Sequence, residues 1–337
     1  MNDPTPLRIG VVGNTPLARQ FLAALDGRIP GVIAVALSGN GVDVDNESGE
    51  AGTLAGSALD AVIVASSTAA RAATVAAAVE RGLHVCCPLP VVADLPTLDA
   101  LIVRAAQAGV IAFAPNLLRY MLPVTQLYEA RRTVGKPAAL FAAHRTRYSG
   151  DGDGGGDGSG GNGDGDGNSG GGDLFAELAL PLVDLAMWIV GGEVERVQVM
   201  AERLFAPEHT PEGADTALML LRFAGGLTAT LEAARSLPAT APHADELLVE
   251  YLGLDAVLRA TPANLAVTVI GRAGVRAESL LATPASVVAE AFVAAIRGGQ
   301  GAPQSLVDAR WSLAVLEKIR LAAVTGEMVR VGGAVRR

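Results

Sequence analysis

From Leu7 the chain reads Leu-Arg-Ile-Gly-Val-Val-Gly, a run rich in β-branched residues that ends in glycine, and Leu17 to Leu25 then places apolar residues at helical spacing. This predicts a strand, a tight turn and a helix. Apolar runs at Val32 to Leu37, after Pro30-Gly31, and at Ala61 to Ala65 predict two more strands, the latter followed by an Ala-rich helical stretch from Ala69 to Glu80. His84-Val85-Cys86-Cys87, a helical stretch from Leu95 to Ala108, and the run Val110 to Ala114 continue the alternation. Strands alternating with helices imply right-handed crossovers and a doubly wound parallel sheet.

After about residue 120 the rhythm changes. Val124 to Arg132 reads as a helix, Ala138 to Ala143 as a strand and Leu174 to Val190 as a helix. Strand-like runs follow at Val194 to Ala201, Ala217 to Phe223, Leu227 to Ala233, Leu247 to Leu252, Ala256 to Ala260 and Leu265 to Ile270, with hairpin-like turns such as Ala224-Gly225-Gly226. These predict a large, open, mostly antiparallel sheet. Helices over about Ala285 to Arg297 and Val307 to Thr325 close the chain. The expected organisation is an α/β domain over 1–120 and an α+β domain over 121–330.

Composition agrees with two domains: 337 residues, 50% hydrophobic, exceed one small core. Lys and Arg number 26 against 35 Asp and Glu, and no basic cluster interleaves with aromatics, so nucleic acid is not an expected partner. The start Met1-Asn2-Asp3-Pro4 lacks a basic signal region, and charge or Pro cuts every apolar stretch before about 18 residues. The expectation is a cytoplasmic protein without a membrane partner. Cys86 and Cys87 are adjacent, which disfavours a bond between them and fits a reducing compartment.

One segment distorts these totals. Residues 150–172 hold 14 Gly, 5 Asp, 2 Ser and 2 Asn, so this tract carries more than half of the net charge of −9. The Asp-x-Asp spacing at Asp151/Asp153 and Asp164/Asp166 invites comparison with a calcium loop. A closing Glu and the apolar anchors of a calcium β-roll are both absent, and the expectation is a flexible, solvated insertion without a metal.

The first turn, Gly13-Asn14-Thr15-Pro16-Leu17-Ala18, bears on chemistry. A dinucleotide fingerprint needs Gly for the tight turn, a second Gly for close approach of the pyrophosphate and a small third residue for packing. Gly13 and Ala18 fit, Thr15 replaces the second Gly, and Pro16 has no amide hydrogen to offer. A nucleotide site and a plain Rossmann-type turn both remain open. At the end of the second strand Ser38 stands where an acidic residue would hold the ribose of NAD. It tolerates a 2′-phosphate, but no Arg follows to pair with one, so NAD and NADP are not distinguished.

The block from Asp60 to Arg71, Asp-Ala-Val-Ile-Val-Ala-Ser-Ser-Thr-Ala-Ala-Arg, with Glu80-Arg81-Gly82-Leu83-His84-Val85, resembles the corresponding part of the Gfo/Idh/MocA oxidoreductases. Matches continue at Asn116 to Pro123, at Gly192 to Val194, from Leu221-Arg222-Phe223 through Leu231-Glu232-Ala233, and at Asp308-Ala309 and Thr325-Gly326. The resemblance implies NAD or NADP bound by an N-terminal Rossmann domain. It also implies a C-terminal open sheet that holds a sugar, polyol or related small molecule for hydride transfer. Cofactor contacts would come from Gly13, Thr15, Pro16, Leu17, Ser38, Ser66, Ser67, Thr68 and Arg71. A homodimer or tetramer is implied in the same way.

Two family motifs are altered. Glu-Lys-Pro after the fourth strand falls on Pro88-Leu89-Pro90, which removes the ammonium group. Asp-x-x-x-His on the helix bordering the substrate site falls on Glu177 and Pro181, followed by Asp184. General acid–base help is worth roughly 10²–10⁴ in rate, so ordinary alcohol dehydrogenation is expected to be weak. Glu177 and Asp184 are the candidate catalytic residues, with Asp184 either taking part in the chemistry or capping or bracing its helix, and the alternative reading of the protein is a catalytically silent relative that serves as a binding or assembly subunit. Cys87 and His84 are expected to be structural. His144 faces either substrate or an ordinary sheet surface, and Arg119 and Tyr120 either line a cleft or brace the structure.

Overall fold

The computed structural model describes residues 6–37, 54, 58–66, 68–147, 173–205, 213–238, 240–261, 266–271, 274–279, 283–299 and 301–332. Ser38, Ser67 and the tract at 150–172 lie outside them. The chain divides into two compact units, the first built from the described residues within 6–117 and 284–310.

In the first unit, β1 (Leu7–Val12), β2 (Val32–Leu37), β3 (Ala61–Val64), β4 (His84–Cys86) and β5 (Ala112–Phe113) form one parallel sheet in the order β2-β1-β3-β4-β5. β3, Ala-Val-Ile-Val, is buried at every position, as a strand covered on both faces must be. The crossovers are α1 (Pro16–Leu25), α2 (Thr68–Glu80) and α3 (Leu95–Ala108). Asp94 caps the start of α3 by accepting the Thr97 amide, and Gly109, in the left-handed region, ends the helix. Behind β5, the Gln304 carbonyl accepts the Ala114 amide and its side chain accepts that of Asn116.

The second unit comprises Leu118–Gly161, Gly167–Thr283 and Trp311–Arg337. Its strands are β6 (Pro137–Arg147), β7 (Val194–Glu202), β8 (Thr216–Phe223), β9 (Thr228–Leu237), β10 (Asp245–Gly253), β11 (Ala256–Thr261), β12 (Ala266–Gly271), β13 (Gly274–Ser279) and β14 (Val329–Arg330). They form one sheet in the order β13-β12-β11-β10-β6-β9-β8-β7-β14. Every paired neighbour is antiparallel except β6 with β9, so the expected doubly wound sheet plus mostly antiparallel sheet is borne out. The period of two decides the faces. Leu140 and Ala142, Ala229, Leu231 and Ala233, and Leu247 and Val249 share the buried face, while Met200, Leu218 and Leu220 stand exposed on the other.

The remaining helices are α4 (Leu122–Ala130), α5 (Leu180–Val190), α6 (Pro284–Gly298) and α7 (Leu306–Thr325). α6 belongs to the first unit, where Phe292 packs 6.3 Å from Phe113 and Arg297 donates to the carbonyls of Pro30 and Gly31. The expected single helix from Leu174 to Val190 is a π turn over Phe175–Ala179 followed by α5. β14 has two residues, too few to leave a pattern in the sequence. Among the described residues no helix is long and apolar enough to cross a membrane.

Gly13 has φ +119°, and a Cβ there would meet the Ala65 carbonyl oxygen at 2.7 Å and the Ser66 nitrogen at 2.8 Å. Backbone strain of this kind costs about 1–3 kcal/mol. Gly13→Ala is expected to lower the unfolding free energy by about that amount in urea denaturation; an unchanged midpoint would mean that the turn relaxes freely.

Candidate functional site

The sheet order of the first unit reverses at β1, which has β2 on one side and β3 on the other. In open α/β sheets ligands bind beyond the carboxyl ends of the strands at such a switch point. Three loops end there: Gly13 to Thr15 after β1, Ala65-Ser66 after β3, and Cys87 to Pro90 after β4.

The Thr15 hydroxyl donates to the Ala65 carbonyl at 2.7 Å and accepts the Ala18 amide at 3.1 Å. It caps α1 and ties the first turn to the end of β3, so it serves the scaffold. Pro16 follows at the first helical position without an N–H, leaving the Leu17 amide and the positive helix end as what the turn offers an anion. Ser66 differs from Thr15: it is buried and, among the described residues, its hydroxyl oxygen has no hydrogen-bond partner. An unsatisfied buried hydroxyl costs about 1–3 kcal/mol, a cost that a ligand bearing a matching polar group would remove. Thr68 opens α2. Arg71, on the first turn of that helix, donates from Nε to the Ser66 carbonyl at 2.8 Å and from Nη1 to the Pro90 carbonyl at 3.1 Å, lacing the loops after β3 and β4 together. A turn without a Cβ, an orphaned hydroxyl and a helix start at one sheet edge fit a phosphate-bearing nucleotide.

Leu89 is buried in the β4 loop, its amide donating to the Pro115 carbonyl. The neighbouring Cys87 thiol is pushed up to about 11 by burial, against the opposing charge of Arg71, and burial pushes Cys86 up as well. Both thiols stay protonated near neutral pH and are poor nucleophiles. His84 accepts the Ile111 amide at Nδ1, joining β4 to the start of β5.

In the second unit Glu177 lies in the π turn and Pro181 at the start of α5. In an α-helix residue 181 would give its N–H to the Glu177 carbonyl. Proline has none, and its ring crowds that carbonyl. The wider π register, in which the Leu180 amide reaches the Phe175 carbonyl, accommodates it. The Glu177 carboxylate forms an ion pair of 2.6 Å with Arg235 from β9, Glu177 being 40% exposed and Arg235 14%. Asp184 is fully buried. Its Oδ2 and Oδ1 accept from Arg119 at 2.7 and 2.6 Å, and Oδ1 also accepts from Ser312 at 2.8 Å. The structure thus gives Asp184 and Arg119 the work of a brace between α5, α7 and the 3₁₀ turn over Leu117–Tyr120. Arg235 and Ser312 escaped the sequence reading because they meet their partners across 58 and 128 residues, with no motif to mark them.

His144 on β6 lies on the buried sheet face, in register with Ala233 and Leu247, and among the described residues its Nδ1 has no hydrogen-bond partner. Arg235 is two residues beyond Ala233 and shares that face. Among the described residues no group of three or more His, Cys, Asp or Glu is placed to hold a metal ion.

With this geometry in place, the relatives can be compared. Residues 130–251 match the family model of the GFO/IDH/MocA C-terminal domain. Myo-inositol 2-dehydrogenase of Thermotoga maritima is 31% identical over 180 residues, 52% of this chain and 50% of that enzyme. The chain therefore spans half the length of the curated relative it matches. An oxidoreductase from Agrobacterium radiobacter, solved with NAD+, L-tartaric acid and magnesium, superposes with a TM-score of 0.79 at 17% identity, over 97% of this chain and 99% of that one. UDP-N-acetylglucosamine 3-dehydrogenase from Acidithiobacillus ferrooxidans gives 0.74 at 19%, over 95% and 99%. Levoglucosan dehydrogenase in complex with NADH gives 0.78 at 15%, over 97% and 99%. At such identities these structures speak for the fold alone. The resemblance to the Gfo/Idh/MocA oxidoreductases read from the sequence is matched by that family's C-terminal-domain model over residues 130–251.

Burial lowers the His144 imidazole below its ordinary 6.5, with Asp245 pulling weakly the other way. The unfolded chain therefore takes up this proton at higher pH than the folded chain. The resulting stability is complete above about pH 6.5 and is lost as pH falls below it, with a slope of at most about 1.4 kcal/mol per pH unit. Urea denaturation between about pH 7.5 and 5 should show His144→Gln losing part of the wild-type acid slope; equal slopes would mean that His144 titrates alike in both states.

Proposed function

We propose that this protein is an NAD(P)-dependent oxidoreductase of the Gfo/Idh/MocA type that acts on a sugar, polyol or related small molecule. The observation that carries this reading is the buried, partnerless Ser66 hydroxyl beside the Gly13 turn, at the point where the strand order reverses. The dehydrogenases among its relatives support it over a catalytically silent subunit. NAD(P), when bound, exchanges a hydride with a substrate carbon.

The chain's own residues divide the remaining work. Gly13 keeps the first turn open, the Leu17 amide and the α1 end face a phosphate, and Ser66 supplies a hydroxyl. Ser38, Ser67 and Thr68 complete the proposed cofactor set, with Arg71 fixing the loops behind it. Glu177 is the carboxylate left for the substrate's proton. Its ion pair with Arg235 holds the carboxylate in place on the π turn. Asp184 contributes by holding α5 in place.

The assembly we propose is a homodimer or tetramer, a reading supported by the open face of the large sheet, where Met200, 68% exposed, stands opposite Leu218. Exposed apolar side chains in register on a sheet form a face that a second copy can cover. We place the protein in the cytoplasm, where its two buried cysteines stay free.

Titration with NADH and NADPH, followed by nicotinamide fluorescence, should saturate with at least one; no change with either would sink the oxidoreductase reading. Turnover of inositols and hexoses with the oxidised cofactor should fall about 10²–10⁴ below the usual 10 per second or so, for want of the customary acid and base. A Met200→Glu, Leu218→Lys double variant should sediment as a monomer, and an unaltered sedimentation coefficient would place the subunit contact elsewhere.

A further inference from the structure

Arg235 lies near the end of β9, in register with Thr146 of β6, and its amide donates to the Asp215 carbonyl at 2.8 Å. Its mostly buried guanidinium gives Glu177 one hydrogen bond, from Nη2 at 2.6 Å. Among the described residues Nε and Nη1 have no partner, yet neither is closed off from solvent as Ser66 Oγ and His144 Nδ1 are. Arg145 on the neighbouring strand is the contrast: it turns Nε and Nη2 to Glu232 and Nη1 to Glu246, which fills its fork. A guanidinium carries its N–H donors in one rigid plane. Arg235 therefore keeps fixed, reachable donors beside the Glu177 carboxylate.

We propose that Arg235 is a further catalytic residue, whose free N–H donors hold the substrate oxygen as that oxygen takes on negative charge. The inference rests on the reading of Glu177 as proton acceptor, and that reading supplies the placement. A hydroxyl donates to a carboxylate oxygen at about 2.5–2.7 Å, and Glu177 Oε2 lies 2.6 Å from Nη2. An oxygen seated on Oε2 is thus at most about 5 Å from the guanidinium, and touches it when the two approach Oε2 side by side. In the oxidation, the substrate O–H bond breaks and its proton goes to Glu177. The carbon–hydrogen bond breaks with its electron pair leaving as hydride to the oxidised dinucleotide, and a C=O double bond forms. The alcohol is oxidised and the dinucleotide reduced. Between these events the oxygen has alkoxide character, and a preorganised donor acts most strongly there. As Glu177 takes the proton, the negative charge beside the guanidinium passes from carboxylate to alkoxide without the cation having to move. A guanidinium gives up no proton in a protein, so Arg235 steadies the oxygen while Glu177 moves the proton.

The test is a double-mutant cycle on the full chain in single-turnover kinetics, with the oxidised dinucleotide and with myo-inositol and D-glucose as probe substrates. Arg235→Gln should slow the chemical step about 10²–10³-fold, and should still slow it at least about tenfold when Glu177 is already Gln. Calorimetric Kd values for the same probes, taken with the reduced dinucleotide so that nothing turns over, should stay within about threefold. Arg235→Lys, which keeps the charge but not the fork, should lose about tenfold. A residue that only positions Glu177 would cost nothing further in the Glu177→Gln background. That result, or a loss carried entirely by Kd, overturns the proposal. If Arg235→Gln fails to fold by circular dichroism, Arg235→Lys decides in the Glu177→Gln background: a loss of about tenfold supports the proposal and no loss defeats it. Glu177→Gln as active as the wild type takes down the proton-acceptor reading and this inference with it. A wild type that binds the dinucleotide but turns over neither probe defeats the inference and leaves dinucleotide binding standing, whereas failure to bind either dinucleotide sinks the oxidoreductase reading itself.

Discussion

The second unit is organised around one buried carboxylate. Asp184 sits on α5 with no exposure, and its two oxygens receive Arg119 and Ser312. Removing a charge from water is tolerable only when partners of this quality surround it, so the three elements that supply them are fixed in mutual position. The same arginine lies 5.4 Å from the Trp188 ring, which stacks on Tyr128 at 3.7 Å, tying α4 to α5. This brace holds the π turn, and with it Glu177, against β9.

The first unit solves a different problem. Its loops at the carboxyl edge carry polar groups whose partners are divided between scaffold and ligand. Thr15 is consumed by capping, Arg71 by lacing, and Ser66 is left over. Two hydroxyls of similar chemistry, one turn apart in space, thereby end in opposite roles. What separates them is which backbone atoms come within reach.

That division explains what was legible in the sequence. Strands and helices with strong punctuation were: Val32 to Leu37 after Pro30-Gly31, and Leu95 to Ala108 between Asp94 and Gly109, have the same bounds in both readings. Local patterns carry local structure because caps and turns act within a few residues. The parallel pairing of β6 with β9 and the Glu177–Arg235 and Asp184–Ser312 contacts were not legible, since each depends on tertiary placement of residues far apart in the chain. The altered motifs of the resemblance singled out Glu177 and Asp184, yet could not reveal that Asp184 would be enclosed and Glu177 tethered.

Pro181 constrains how this helix could change. Where the motif of the resemblance has histidine, proline alters two things together, the side-chain chemistry and the count of backbone amides in that helix. Reinstating an imidazole by a single codon change would also hand an amide back to the Glu177 carbonyl and invite the helix to tighten from π to α geometry. Glu177 would rotate about the helix axis and lose its alignment with Arg235. An imidazole facing Arg235 is therefore not one substitution away, because side chain and helical register would have to change in concert.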